Sequence, residues 1–447
     1  MLRIFVKNGR QFKCLQKYLF HQTGRPFSDK KIIRRVPQNR NVSSPITLNK
    51  LKNGIKSIKD KIVPWDPNDD KVPWEERTPL ISSECDIVII GGGVIGSSIA
   101  YWLKNRVYDK EMKVIVVEKD PTYTKASTVL SVGGLRQQFS LEENIEMSLF
   151  GAEFIRNINE YLGIDGEPPI DPYFHPYGYL MLASNTGAET LEKNSKLQNF
   201  LGAKNILLTP NKLKDMFPWL NTEDIALGCF GLEKEETPEG ETRTIKFAIC
   251  IVAAGAASGE VAKLAKIGTE EGLRYLALPV EPRKRYVYCF HCPEGPGLNT
   301  PLTVDNSGTY FRREGLAGTY VCGRSPSESE EPSIKDLSVD ENYFNDVIWP
   351  SLAHRVKAFE KLKLQSSWAG FYEYNTFDQN GIIGIHPYYK NIFFATGFSG
   401  HGIQQAPAVG RAIAELILDG RYITIDLENL GFDRIINGKP MFETNIV

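Results

Sequence analysis

Gly91-Gly92-Gly93-Val94-Ile95-Gly96 is a G-x-G-x-x-G turn, and the residues around it decide the fold. Before it runs Asp86-Ile87-Val88-Ile89-Ile90, an apolar, β-branched stretch long enough for one buried strand. After it, Ile95, Ile99 and Trp102 recur at i, i+4 and i+7, the spacing of one helix face. A second strand-like run, Val114 to Val117, ends on Glu118, 22 residues beyond Gly96. Strand, glycine turn, helix, strand and terminal acid in this order make a dinucleotide-binding fingerprint. Gly91 permits the tight turn, and Gly93 lets backbone approach a pyrophosphate at the helix N-terminus. Gly96 lets helix and strand close together, and Glu118 accepts the ribose hydroxyls. The uncharged stretch Ile87 to Leu103 is only 17 residues long, holds four glycines and begins as a strand. That is no transmembrane helix.

A length of 447 residues gives a prior of roughly three domains, with ample chain for a large core. Fifty-three basic and 54 acidic residues leave a net charge of −1, so nothing in the charge calls for nucleic acid. Seven cysteines, odd in number and scattered, argue against a secreted disulfide framework. Cys289 and Cys292 have C-x-x-C spacing but no second ligand pair, and they lie in a strand-like run. No metal site is expected.

The first 28 residues carry Arg3, Lys7, Arg10, Lys13, Lys17 and Arg25 and no carboxylate. Leu2, Phe5, Phe12, Leu15 and Leu19 share one helical face. A basic, acid-free amphipathic start fits a mitochondrial transit peptide, cut after Phe27, although a disordered basic tail has the same composition. Residues 29–80 are polar and broken by Pro64, Pro67, Pro73 and Pro79, which reads as a linker or surface arm.

Farther on, Ser127-Thr128 and the pair Gly133-Gly134 suit close approach of backbone to a cofactor. Leu141 to Leu162 has the periodicity of one long helix. Strand-like runs between 172 and 230 and between 279 and 370 predict a sheet-rich second domain. Between them Phe247 to Val252 is a buried strand that enters a turn at Ala254-Gly255. Last comes Phe393 to Gly402, with Gly397, Gly400, His401 and Gly402 ahead of a helix that ends near Gly420. This second strand-glycine-helix unit again offers free N–H groups and a positive dipole end.

The G-x-G-x-x-G unit with Glu118, the Ala253-Ala-Gly-Ala256 turn and the Ala395 to Gly402 motif resemble the FAD-dependent D-amino-acid and sarcosine oxidoreductase family. Leu278 to Tyr286, Tyr310 to Gly315 and Trp368 to Gly381 are more particular. They resemble a mitochondrial branch of that family whose role is assembly of respiratory complex I. The likeness covers roughly residues 80–445. It implies an α/β fold in which a Rossmann-like FAD-binding domain carries an inserted antiparallel-sheet substrate domain. The FAD-binding parts are then 81–171, 234–278 and 373–429, the substrate parts 172–233 and 279–372, and 430–447 a tail. It further implies FAD, complex I subunits or assembly intermediates as partners, and a peripheral place on the matrix side of the inner membrane.

Residue by residue, the resemblance places Gly91, Gly93, Gly96, Glu118, Ser127, Thr128, Gly133, Gly134, Ala254, Gly255, Gly397, Gly400, His401, Gly402 and Gln404 around FAD. Arg312, His401 and Tyr372 are the candidate catalytic residues, for a small amine or amino-acid-like substrate. Several departures stand out. Only a short acidic run, Lys234 to Glu241, follows Glu233 where relatives carry a helix and strand. A crossover helix cannot fit there. Gln404 and Phe139 stand where sarcosine oxidases grip the substrate carboxylate, and Val321 where they carry a lysine for oxygen. Phe371 replaces the cysteine that attaches flavin, so FAD is expected to be non-covalent. The N-terminal reading has its own check: sequencing the mature mitochondrial protein should give Ser28 first, and an intact Met1 would contradict cleavage.

Overall fold

The computed structural model describes residues 84–107, 112–120, 122–164, 166–172, 177–231, 246–269 and 272–444. The expected transit peptide, the arm that follows it and the acidic run after Glu233 lie outside these residues. Two sheets dominate. The first contains β1 (Glu84–Ile90), β2 (Val114–Val117), β6 (Lys246–Val252), β12 (Ile382–Ile385) and β13 (Ile392–Thr396), in the order β12-β13-β6-β1-β2. All neighbours are parallel except β12 on β13. Four strands therefore end at one edge, and the chain leaves three of them through glycine turns: Gly91–Gly96 after β1, Ala253–Ala257 after β6, and Gly397–Gly402 after β13.

Both faces of this sheet are covered, as a parallel sheet requires. On one face lie α1 (Val94–Arg106) and α4 (Gly402–Leu418), with α2 (Glu142–Arg156) packed behind α4. Ile87, Ile89, Ile99, Leu103, Val409 and Ile413 meet there at 0–2% exposure. A side chain at Gly410 would come 2.2 Å from Ser98 Oγ, so α1 and α4 approach backbone to backbone. The other face buries Val88, Val252, Ala262, Ile267 and Phe432. Among the described residues β2 is the outer strand, and Val116 on it is 38% exposed.

The second sheet contains β3 (Tyr179–Ala183), β4 (Ile206–Leu208), β5 (Leu227–Gly231), β7 (Val280–His291), β8 (Leu302–Val304), β9 (Tyr310–Glu314), β10 (Thr319–Gly323) and β11 (Lys363–Asn375). Its order is β11-β7-β10-β9-β8-β3-β5-β4, antiparallel except where β3 meets β8. Helix α3 (Ala188–Leu201) packs against this sheet and α2. β7 is longer than the expected Arg285 to Phe290. Pro282 is tolerated because β10 pairs only from Val287 onward, leaving no neighbour on that side to need its missing N–H.

Two further expectations change. The single helix Leu141–Leu162 is two, Glu142–Arg156 and Ile158–Leu162. Asn157 breaks it by bonding Glu153 O and Oε1 through its side chain, a local competitor of the helical ladder. Residues 430–444 are not a loose tail. Arg434 pairs with Asp378 (Nε to Oδ2 2.6 Å), and Glu443 caps α2 by accepting from Ser140 N (2.6 Å) and Asn144 Nδ2 (2.6 Å).

Candidate functional site

The three glycine turns sit side by side at the C-terminal edge of the parallel sheet, where ligands of open α/β sheets bind. Gly91 has φ +109°, and a Cβ there would lie 2.1 Å from Ala253 O. A Cβ at Gly96 would lie 1.9 Å from Gly91 O. These two glycines are demanded by packing. A Cβ at Gly93 would meet only Thr128 Oγ1, at 3.2 Å, a tight contact with a single side-chain atom. Helix α1 starts at Gly93 with no side-chain cap, and α4 starts at His401 in the same way. Neither N-cap residue closes its helix with its own side chain, and a helix end of this kind favours negative charge.

Glu118 closes the first turn. Its Oε2 accepts from Gly92 N (2.7 Å), and its Oε1 from Lys119 N (2.8 Å) and Asp120 N (3.0 Å). Tyr123 supports the turn by donating to Gly92 O (2.8 Å). Thr128 Oγ1 accepts from Val94 N (3.3 Å), and Ser127 donates to Phe371 O (2.5 Å), which ties this loop to β11. Gly133 has φ +64°, and Gly134 lies against Tyr179, whose hydroxyl a Cβ would strike at 1.9 Å. Ala254 precedes Gly255 (φ +53°), around which nothing approaches within 4 Å. Gly397 (φ +79°) and Gly400 (φ +96°) carry the third turn. The ring of Tyr372 lies directly under Gly400, 2.7 Å from where a Cβ would be. An extended cradle of exposed N–H groups, open glycine positions and an acid at the end of β2 fits a dinucleotide.

The residue at the centre was missed in the sequence. Arg136, two residues after Gly133-Gly134, points its Nη2 at His401 Nε2 (3.0 Å) and lays its guanidinium 4.5 Å from the Phe139 ring centre. Its Nε is buried without a partner, and among the described residues no carboxylate forms an ion pair with it, although Glu443 lies near enough to act on its charge. Arg136, His401, Tyr372 and Tyr310 lie deep in the chain, and each keeps partial solvent exposure. The signal was available: an arginine on a paired-glycine loop. The sequence reading singled out Phe139, three residues farther on, and passed over Arg136. Phe139 is fully buried and supports Arg136 instead. Gln404 is also a support, its Oε1 accepting from Arg136 N at 2.8 Å.

Arg312, a candidate catalytic residue, has both terminal nitrogens of its guanidinium engaged. Nη2 donates to Val132 O (2.8 Å), and Nη1 bonds Glu314. Val321 is buried on β10, in register with Arg312 and Cys289. His401 is held neutral: burial, and then the Arg136 charge, pull it down to about 3. Accepting from Arg136 at Nε2, it carries its proton on Nδ1 and acts as a hydrogen-bonding group. On β11 Glu373 is buried, while Tyr372 and Tyr374 on either side of it keep partial exposure. Its carboxyl is raised from 4.5 to about 7 by burial, restrained by hydrogen bonds from Thr396 and from the backbone of Gly397 and Phe398. Cys289 and Cys292 are free, and no group of three or more metal-ligating side chains occurs among the described residues.

The family model described as "FAD dependent oxidoreductase" (DAO) matches residues 86–233 and 222–416. The chain is therefore a member of the FAD-dependent oxidoreductase (DAO) family, whose cofactor is FAD. The match falls in two pieces that meet where the sequence places the shortening. Among curated relatives, "FAD-dependent oxidoreductase domain-containing protein 1" of Xenopus laevis is 47% identical over 450 residues, covering 87% of this chain and 90% of that protein. The homolog of that protein in Drosophila melanogaster is 41% identical over 480 residues, with 90% and 92% covered. Those aligned lengths exceed this chain's own 447 residues, so the relatives carry residues that it lacks. Among solved structures, L-proline dehydrogenase from P. horikoshii superposes with a TM-score of 0.67 at 23% identity, covering 81% of this chain and all of that one. That likeness speaks for the fold. No helix among the described residues is long and apolar enough to cross a membrane.

The titrating groups set opposite pH trends. A raised Glu373 binds its proton more tightly folded than unfolded, so stability is lost as pH rises from 4.5 through about 7. His401 at about 3 and His386 at about 4 are depressed, so their contribution is present above 6.5 and lost as pH falls. In urea titrations Glu373→Gln should remove a slope of at most about 1.4 kcal/mol per pH unit between pH 5 and 7. An unchanged profile would show that Glu373 titrates normally.

Proposed function

We propose that this chain is a mitochondrial FAD-dependent oxidoreductase-like protein that serves assembly of respiratory complex I, bound peripherally on the matrix side of the inner membrane. The observation that carries this reading is the likeness to FAD-dependent oxidoreductase domain-containing protein 1 along nearly the whole of both chains. The assembly role rests on the resemblance of the Leu278 to Tyr286, Tyr310 to Gly315 and Trp368 to Gly381 blocks. The basic, acid-free start supports import. FAD is held without a covalent link, because Phe371 offers no nucleophile. The cradle residues Gly91, Gly93, Glu118, Thr128, Ala254, Gly255, Gly397 and Gly400 hold it by backbone N–H groups, hydroxyl contacts and charge. Bound there, it supplies two-electron redox chemistry.

A second reading, a dehydrogenase for an amine or amino-acid-like substrate, is favoured by Arg136. A buried guanidinium whose Nε has no partner, and which pairs with no carboxylate among the described residues, is a receptor for one. Neutral His401 and Gln404 hold it in place, and Phe139 stacks beside it. With Val321 in place of a lysine and Arg312 engaged elsewhere, reaction with oxygen is expected to be slow.

Cells lacking the chain should lose complex I on native gels and accumulate its intermediates, and wild type should restore it. Normal complex I would contradict the assembly role. Acid precipitation of the holoprotein should release all yellow colour. Flavin bleaching is then followed with sarcosine, dimethylglycine, glycine and D-amino acids. Arg136→Met should weaken any that bind by about one to two powers of ten per lost contact, without affecting complex I. Rapid bleaching with stoichiometric peroxide would make the chain an ordinary oxidase.

A further inference from the structure

Glu373 is a buried carboxylate, 8% exposed, for which the cradle described above has no use. It sits at the uncapped start of α4, inside the third glycine turn. Its Oε2 accepts from Thr396 Oγ1 (3.0 Å) and Gly397 N (3.2 Å), and its own carbonyl accepts from Ser399 N (3.1 Å). A Cβ at Gly402 would lie 3.0 Å from Oε1, so the carboxylate fills the mouth of the helix. The Thr396 hydroxyl also lies 2.7 Å from Ser258 Oγ, which links the carboxylate to the turn after β6. An anion so placed is satisfied by neutral donors alone.

No cation compensates it among the described residues. On β11 its neighbours are Tyr372 and Tyr374. On β7 Pro282 stands opposite it, while Arg283 and Arg285 turn to Glu281 and Glu331. From the segment after β6 the polar side chain is Ser258, and on its own turn His401 is neutral. The donors fit a charge, yet a second negative charge at the same helix end would be repelled by the first.

We propose that Glu373 is a redox-linked proton acceptor: it takes one proton from water when flavin at this edge gains two electrons and a negative charge, and returns it on reoxidation. The inference rests on the flavin reading above. The electrons come from a two-electron donor, an amine or a chemical reductant. One proton goes to the flavin and the second to a Glu373 oxygen, so no net charge is added at the turn. No covalent bond to the chain forms or breaks. Burial already holds this carboxyl at about 7 in the absence of any new charge, so above pH 7 it is ionised and able to accept.

The test is the midpoint potential of the flavin-loaded full chain from pH 6 to 9, by equilibration with reference dyes. Each coupled proton makes the equilibrium tenfold pH-dependent per unit, about 30 mV for two electrons. Above pH 7 the wild type should fall by about two such steps per pH unit, and Glu373→Gln by one. Thr396→Val keeps the carboxylate but removes a donor that favours its charge, so the break in slope should move to higher pH. Equal slopes in wild type and Glu373→Gln would overturn the proposal. So would a wild-type slope of one step above pH 7, should the variant fail to fold. A yellow protein with equal slopes removes this inference alone, whereas a protein that binds no flavin removes the flavin reading and this inference together.

Discussion

The structure depends on the contact between Gly91 and Ala253. Gly91 N donates to Val117 O at 2.7 Å, while its α-carbon is so close to Ala253 O that a methyl group would sit 2.1 Å from it. Ala253 N in turn donates to Ile90 O at 2.8 Å. The ends of β2, β1 and β6 are thereby locked in one plane, with β13 joined to β6 beside them. Only a residue without a side chain, at a φ of +109°, can make this junction. Because the strand ends are level, the turns that follow are level too, and two uncapped helix ends face the same edge. The cofactor cradle is a consequence of that register.

Around the cradle lie two charges of opposite sign, neither of them in an ion pair among the described residues. Arg136 stands on the loop before α2, and Glu373 lies beneath the third glycine turn. Each is costly in a dry interior, and each is stabilised by neutral groups: His401, the Gln404 scaffold and the Phe139 ring for one, Thr396 and backbone N–H groups for the other. Buried charges held by neutral groups are functional candidates. Arg136 suits an anionic group of a ligand. Glu373 suits proton exchange linked to charge at the turn.

The βαβ fingerprint was legible because its glycines, strands and acid follow a local grammar with fixed spacing. The two-sheet architecture was legible for the same reason, since runs of β-branched residues predict strands wherever they fall. The site was less so. Arg136 and Phe139 are three residues apart on one loop, and only the packing shows that the arginine meets His401 while the phenylalanine is fully buried. Glu373 alternates with Tyr372 and Tyr374, and strand periodicity alone assigns the burial to the tyrosines. That a carboxylate takes the inner position reflects donors from Thr396 and Gly397, more than twenty residues downstream. The fork of Arg312 is engaged by Val132, 180 residues away in sequence. Long-range hydrogen bonds of this kind leave no periodic trace.

The measurement that bears most directly on this account is a titration of FAD into the purified full chain, followed by visible absorbance, for wild type and Gly93→Val. A Cβ at Gly93 would meet one atom, Thr128 Oγ1 at 3.2 Å, so a branched side chain there presses on that hydroxyl and occupies the approach of the pyrophosphate. The wild type should bind FAD with a perturbed flavin spectrum, and Gly93→Val should keep its fold by circular dichroism while losing the spectrum. A wild type that leaves the FAD spectrum unchanged, or a variant that binds as tightly as wild type, would contradict it.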